Sequence, residues 1–310
     1  MTTLQTSLLL YNIFINHKHK SITVRRITMR LDKYLADMGI GTRSELKKAI
    51  RAKAVTVNGK TVRDPAAQVS ENDSICWQDK PVKYESLVYY MLHKPAGVIS
   101  ASSDSHEKTV VDLITDTGGQ NLESRDSGDR VFVEQNPAAQ TATFRRDLFP
   151  VGRLDRDTEG LLLITNDGAL AHRLLSPKHH VKKVYLAVVT GTVTADDISA
   201  FQNGITLEDG TLCRPAVLEI LHPGETDDPA LQTAQETENR PLSPIVSAVR
   251  ITITEGKFHQ IKRMFLACGH EVRYLKRISM GPLTLDPELP AGSFRRLTDS
   301  ELEMLQQYSV

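Results

Sequence analysis

Asp155 stands in the run Val151-Gly152-Arg153-Leu154-Asp155-Arg156-Asp157-Thr158-Glu159-Gly160, just before four apolar residues, Leu161–Ile164. A single ionised carboxylate can act as a nucleophile or stabilise developing positive charge. The loop is crowded with charge and anchored from behind by the apolar run, which a loop without a task would not need. In a pocket that excludes water the carboxylate must stay ionised, and a nearby cation lowers its pKa. A glycosidase using Asp155 with Asp157 or Glu159 is the weaker alternative. That chemistry needs two carboxylates at set separations, and nothing else suggests a sugar groove. The neighbours of His172, His179 and His180 complete no ligand set, so no metal is expected.

The elements that must hold these residues can be read from spacing. The length, 310 residues, suits two domains or one domain with an appendage, and 40% apolar with 25% charged residues is an ordinary globular balance. Net charge is zero, yet its distribution is uneven. Met29–Arg63 holds nine Lys/Arg against three Asp/Glu, and Lys257–Arg277 six against one. Basic patches on a neutral chain are the footprint expected of a phosphate-backbone binder. Cys76, Cys213 and Cys268 form no C-x-x-C pair, so neither zinc nor a disulfide framework is indicated, and a cytoplasmic compartment fits. Leu8–Ile15 is too short to span a bilayer and lacks a basic residue before it. Residues 1–28 therefore read as a disordered extension, with no membrane partner.

Apolar positions 31, 34, 35 and 38 predict a first helix, and the capping box Thr42-Arg43-Ser44-Glu45 starts a second, running to about Arg51. Alternation around Asn58-Gly59 predicts a hairpin. Residues 78–86 read as a linker. Strands are expected at Leu87–Leu92, Leu161–Thr165, Val184–Thr190, Pro215–Leu221, Ile245–Thr254, Val272–Ile278 and Leu283–Leu285. Helices are expected at Ala169–Leu175, Thr194–Gln202, Phe258–Cys268 and from Thr298 to Gln306. Polar, acidic stretches at about 115–143 and 221–244 read as disordered insertions. This pattern, outside strict βαβ alternation, predicts an α+β fold with a mainly antiparallel mixed sheet.

Two resemblances give these residues roles. Residues 29–77, with R-L-D-K-Y-L, T-R-S-E and V-x-V-N-G-K, resemble the S4 RNA-binding module. There Arg43, Ser44, Lys47, Lys48 and Arg51 would face phosphates. Residues 87–310, with His93-Lys94-Pro95-Ala96-Gly97, then G-R-L-D-x-D-T-x-G-L-L-L-x-T-N-D-G and G-x-F-H-Q-I-K-R-M-F, resemble the RsuA/RluB/RluE/RluF family of ribosomal RNA pseudouridine synthases.

The resemblance implies a catalytic domain that isomerises uridine without a cofactor. The target base must leave the stack to be rearranged. It implies Asp155 as the essential aspartate, Lys262 as its cationic partner with Arg263 as the alternative, and Tyr185 as a residue that stacks on the uracil. By itself Tyr185 is more often a core residue at a strand end. Lys94, Arg153, His259, Gln260 and Arg263 would contact RNA. Ser176–Tyr185, the H-Q-I-K-R-M-F helix and Met280–Leu285 are most similar to the branch that modifies U516 of 16S rRNA. The implied partner is ribosomal RNA, free or in a small-subunit assembly intermediate, and the implied state a monomer. A 23S rRNA target and a non-catalytic S4-type assembly protein are the alternatives.

Overall fold

A computed structural model describes residues 28–82, 84–117, 147–222, 224–229, 231–232 and 245–308. The expected extension, apart from residue 28, and most of both expected insertions lie outside these residues.

The N-terminal unit is built from β1 (Thr28–Arg30), α1 (Leu31–Asp37), α2 (Arg43–Arg51), β2 (Val55–Val57), β3 (Lys60–Thr61), β4 (Gln68–Ser70), β5 (Ile75–Trp77) and β6 (Lys80–Val82). Leu31, Tyr34, Leu35 and Met38, the predicted stripe, are buried against Leu46 and Ile50 of α2 and Val55, Val69 and Ile75 of the strands. The capping box forms as read: Thr42 Oγ1 accepts from Glu45 N–H, and the Glu45 carboxylate accepts from Thr42 N–H at 2.7 Å. Asn58 (φ 51°) and Gly59 (φ 76°) make the tight β2–β3 turn, which needs two left-handed residues. The stretch read as a linker is partly structured. Gln78 and Asp79 turn the chain in the left-handed region, and β6 pairs with β5 as an edge strand. Pro81 is tolerated there because an edge strand can spare an N–H.

The second unit comprises β7 (Tyr89–Lys94), α3 (Val110–Thr117), β8 (Phe149–Pro150), β9 (Glu159–Thr165), α4 (Gly168–Leu175), β10 (Lys183–Thr190), α5 (Ala195–Asn203), β11 (Val217–Ile220), β12 (Val246–Ile253), α6 (Gln260–Ala267), β13 (Val272–Met280), β14 (Leu283–Thr284), β15 (Phe294–Arg296) and α7 (Asp299–Gln307). One sheet runs β11-β12-β10-β13-β9-β7-β15, with β14 on β13 and β8 on β9. Its only parallel pair among the described strands is β13–β9. Gly160 permits that contact: at φ 104°, a Cβ would lie 2.2 Å from the Arg277 carbonyl oxygen.

β9 reads as a continuous apolar run because both its faces are buried. Leu162 and Ile164 join the core under α5 and α6, and Leu161 and Leu163 join the core under α4 and α7. Phe201 of α5 and Phe265 of α6 meet with ring centroids 4.8 Å apart, which fixes α6 on the sheet.

Three expectations change. The helix read from Phe258 begins at Gln260, after a left-handed His259 (φ 48°), and Phe258 is exposed rather than in the core. The second insertion does not begin at Leu221 as free chain. Leu221 and Leu231 pack with Leu186, Val188 and Ala248, and Asp228 pairs with Lys276 at 2.8 Å. The first insertion's opening residues, 115–117, complete α3. Among the described residues, no helix is long and apolar enough to cross a membrane.

Candidate active site

The Asp155 loop is held on three sides. Behind it, Val151 N–H donates to the Leu163 carbonyl at 2.8 Å, tying the loop to β9. Beside it, Ser100 Oγ donates to the Leu154 carbonyl at 2.8 Å and accepts from Leu154 N–H at 3.0 Å. Beneath it lies Lys94, with 0% of its surface exposed. Its ammonium donates to the carbonyls of Pro95, Arg156 and Thr158 at 2.9, 3.1 and 2.9 Å. Burial pushes Lys94 down to about 8, partly countered by the nearby carboxylates Asp157, Glu159 and Asp155. Lys94 therefore braces the loop from inside, and the expected RNA contact at this residue is corrected: no phosphate can reach it. Ser100 carries no signal in the sequence, being 54 residues from its partner in a polar stretch.

Across the cleft, α6 supplies the cation. Its buried face is Ile261, Met264 and Phe265. Lys262 Nζ lies 3.4 Å from Asp155 Oδ2 and 2.5 Å from Asp157 Oδ1. Arg263 is adjacent in sequence but points about 100° around the helix. It binds Glu208 at 2.7 Å and Asp209 at 2.6 Å instead. Helical phase thus separates the two candidates and removes Arg263 as the partner of Asp155. Asp157 is pushed up by burial, but the Lys262 hydrogen bond and charge outweigh this and hold it below the ordinary carboxylate range.

His259 Nε2 approaches Asp155 Oδ1 to 3.6 Å. Its left-handed backbone, uncommon for a residue with a Cβ, turns the imidazole toward the carboxylate. Gln260 secures that turn. Its side chain accepts from Lys257 N–H and donates to Glu255, each at 2.9 Å, and it is buried. Its amide is therefore spent inside the protein, which corrects its assignment as an RNA contact. Glu255 also pairs with the Lys257 ammonium and accepts from Arg214 N–H.

Tyr185 on β10 is buried, and it shares the lining of an open cleft with Arg153, Asp155, Lys257, His259 and Lys262. Arg153 is exposed at its rim. Arg43, Ser44, Lys47, Lys48 and Arg51 lie far along the chain on α2, all exposed. The cleft offers one carboxylate paired to one ammonium, an aromatic wall and a cationic rim. That is equipment for nucleophilic or electrostatic work on a planar base and its sugar.

The family profile described as RNA pseudouridylate synthase matches residues 88–267, and that of the S4 domain matches residues 29–75. This chain belongs to the RNA pseudouridylate synthase family. It is thus an enzyme that isomerises uridine in RNA, with an RNA-binding S4 domain before the catalytic one. Among its relatives is a Bacillus subtilis protein named uncharacterized RNA pseudouridine synthase YtzG, 40% identical over 90% of this chain and 99% of that one. Another is the ribosomal small subunit pseudouridine synthase A of Haemophilus influenzae, 35% identical over 89% and 99%. A solved crystal structure titled pseudouridylate synthase matches with a TM-score of 0.51 at 34% identity, covering 89% of this synthase and 99% of that chain.

Proposed function

We propose that this synthase converts one uridine of small-subunit 16S rRNA, U516, to pseudouridine, with Asp155 as the essential residue. The observation that carries the site is the Asp155–Lys262 pair lining the same open cleft as Tyr185. The target is supported by the relatives named ribosomal small subunit pseudouridine synthase A, from Haemophilus influenzae and Escherichia coli among others. The uridine leaves its stack and enters the cleft beside Tyr185. Asp155 then works on the flipped nucleoside, and the base turns and rejoins the sugar through carbon. Bond breaking and bond making are internal to the nucleotide, so no redox partner or group donor is required. Tyr185 stacks on the uracil, and Lys262 holds charge beside Asp155. The S4 domain grips the RNA backbone through Arg43, Lys47, Lys48 and Arg51. We place the protein in the cytoplasm, acting as a monomer. A 23S rRNA target is the second reading; the motif arrangement serves either.

The test is a map of pseudouridine in 16S and 23S rRNA from cells lacking this protein. Loss at the 16S site alone is expected. Loss of a 23S site with 16S unchanged overturns the target.

A further inference from the structure

Phe258 is the most exposed large apolar side chain among the described residues, at 74%. A lone exposed apolar residue is ordinary, but this one is built in. Its ring lies on the imidazole of His259, with centroids 3.8 Å apart and planes 17° from parallel. His259 in turn stands 3.6 Å from the Asp155 carboxylate. The turn carrying both rings is fastened from three directions. Gln260 N–H donates to the Lys257 carbonyl, the Gln260 side chain accepts from Lys257 N–H, and Arg263 donates to the Phe258 carbonyl at 3.5 Å. One face of the Phe258 ring is covered by imidazole and the residue is otherwise largely in water. His259 lines the cleft beside Asp155, and Phe258 joins it only through that stack.

Extracting a uridine from its stack strips its neighbours of a stacking partner. An exposed aromatic face stacked on a residue that lines the cleft can replace that contact, and it does so for any base because every base has a π-face. We propose that Phe258, backed by His259, is the stacking platform for the nucleobase immediately flanking the flipped uridine. It holds the RNA open and is a positioning residue rather than a catalytic one. The inference rests on the function proposed above.

The test uses the full-length protein and an rRNA fragment that the wild type converts, with 2-aminopurine placed in turn at the 5′ and 3′ neighbours of the target. Phe258→Ala is expected to weaken binding about 5- to 150-fold, the measured range for losing one base–aromatic stack. It should also abolish quenching of the flanking 2-aminopurine. Phe258→Leu should behave as the alanine variant, and Phe258→Tyr as the wild type. Thermal stability should not move, because the side chain is outside the core. Binding within twofold of wild type in Phe258→Ala, rescue by leucine equal to that by tyrosine, or quenching that survives the alanine change overturns the platform alone. A wild type that converts no uridine in any 16S or 23S fragment overturns the functional reading and the platform with it.

Discussion

Two segments that look alike in charge behave differently in space. The stretch containing α2 and that from Lys257 to Arg277 each carry a strong excess of basic residues. On α2, Arg43, Lys47, Lys48 and Arg51 are all exposed, and none is held in an ion pair among the described residues. In the second segment the cations are committed. Lys257 pairs with Glu255, Lys262 with Asp155 and Asp157, Arg263 with Glu208 and Asp209, Arg273 with Glu271, and Lys276 with Asp228. Arg277 is buried and donates to the Leu161 carbonyl at 2.8 Å. The first region leaves its cations exposed, and the second pairs them with carboxylates, Lys262 with Asp155 among them. Sequence charge therefore locates basic segments without telling which of them remain available to RNA. We propose a division of labour in place of equal contributions to backbone affinity, with α2 meeting phosphates and the second segment holding Asp155 in place.

That division can be broken at several points. The largest effect is expected for Asp155→Asn, which should lower the rate of pseudouridine formation on the order of 10⁴-fold. Next is Lys262→Met, expected to cost about 10²- to 10³-fold in kcat, the usual loss for one preorganised charged partner. Partial rescue by Lys262→Arg would show that the charge matters more than the amine. Alanine at Arg43, Lys47, Lys48 and Arg51 together should leave kcat on saturating RNA unchanged while weakening binding. The log-affinity against log-salt slope should shrink by about 3, near 0.7 for each lost contact to single-stranded phosphates. Arg263→Ala, whose cation is already paired, should change that slope by less than about 1. A slope change as large as that of the α2 variant would erase the distinction between the regions.

The smallest effect concerns Lys94. Its folded pKa is pushed below the unfolded value of 10.5 to about 8. Holding it charged thus costs stability, fully so below about pH 8, and the cost is relieved as pH rises toward the unfolded value. Comparing urea denaturation of wild type and Lys94→Met at pH 7 and pH 9 should show a wild-type contribution that rises with pH and is absent in the variant.

What could be read beforehand was mostly local. The Thr42 capping box, the Asn58-Gly59 turn and the doubly buried β9 each carry their cause within a few residues. The Asp155 loop was visible because its apolar anchor follows it directly. The bracing of that loop was not, since Lys94 finds its carbonyls and Ser100 finds Leu154 across more than fifty residues. The choice between Lys262 and Arg263 needed the placement of α6, because neighbours on a helix look alike in sequence and diverge in space. Phe258 fitted the apolar spacing of a helix whose first turn is replaced by the left-handed His259. Asp228 and Leu231 sat in a polar, acidic stretch whose composition hid one ion pair and one buried side chain.

Asp155 is the hinge of the account. Single-turnover conversion of saturating 16S rRNA fragment by Asp155→Asn, with the dissociation constant measured on the same RNA, tests it most directly. The expected result is binding within a few-fold of wild type and no pseudouridine over many wild-type half-lives. Conversion at a rate near wild type would contradict it, and so would a variant that fails only because it no longer binds RNA.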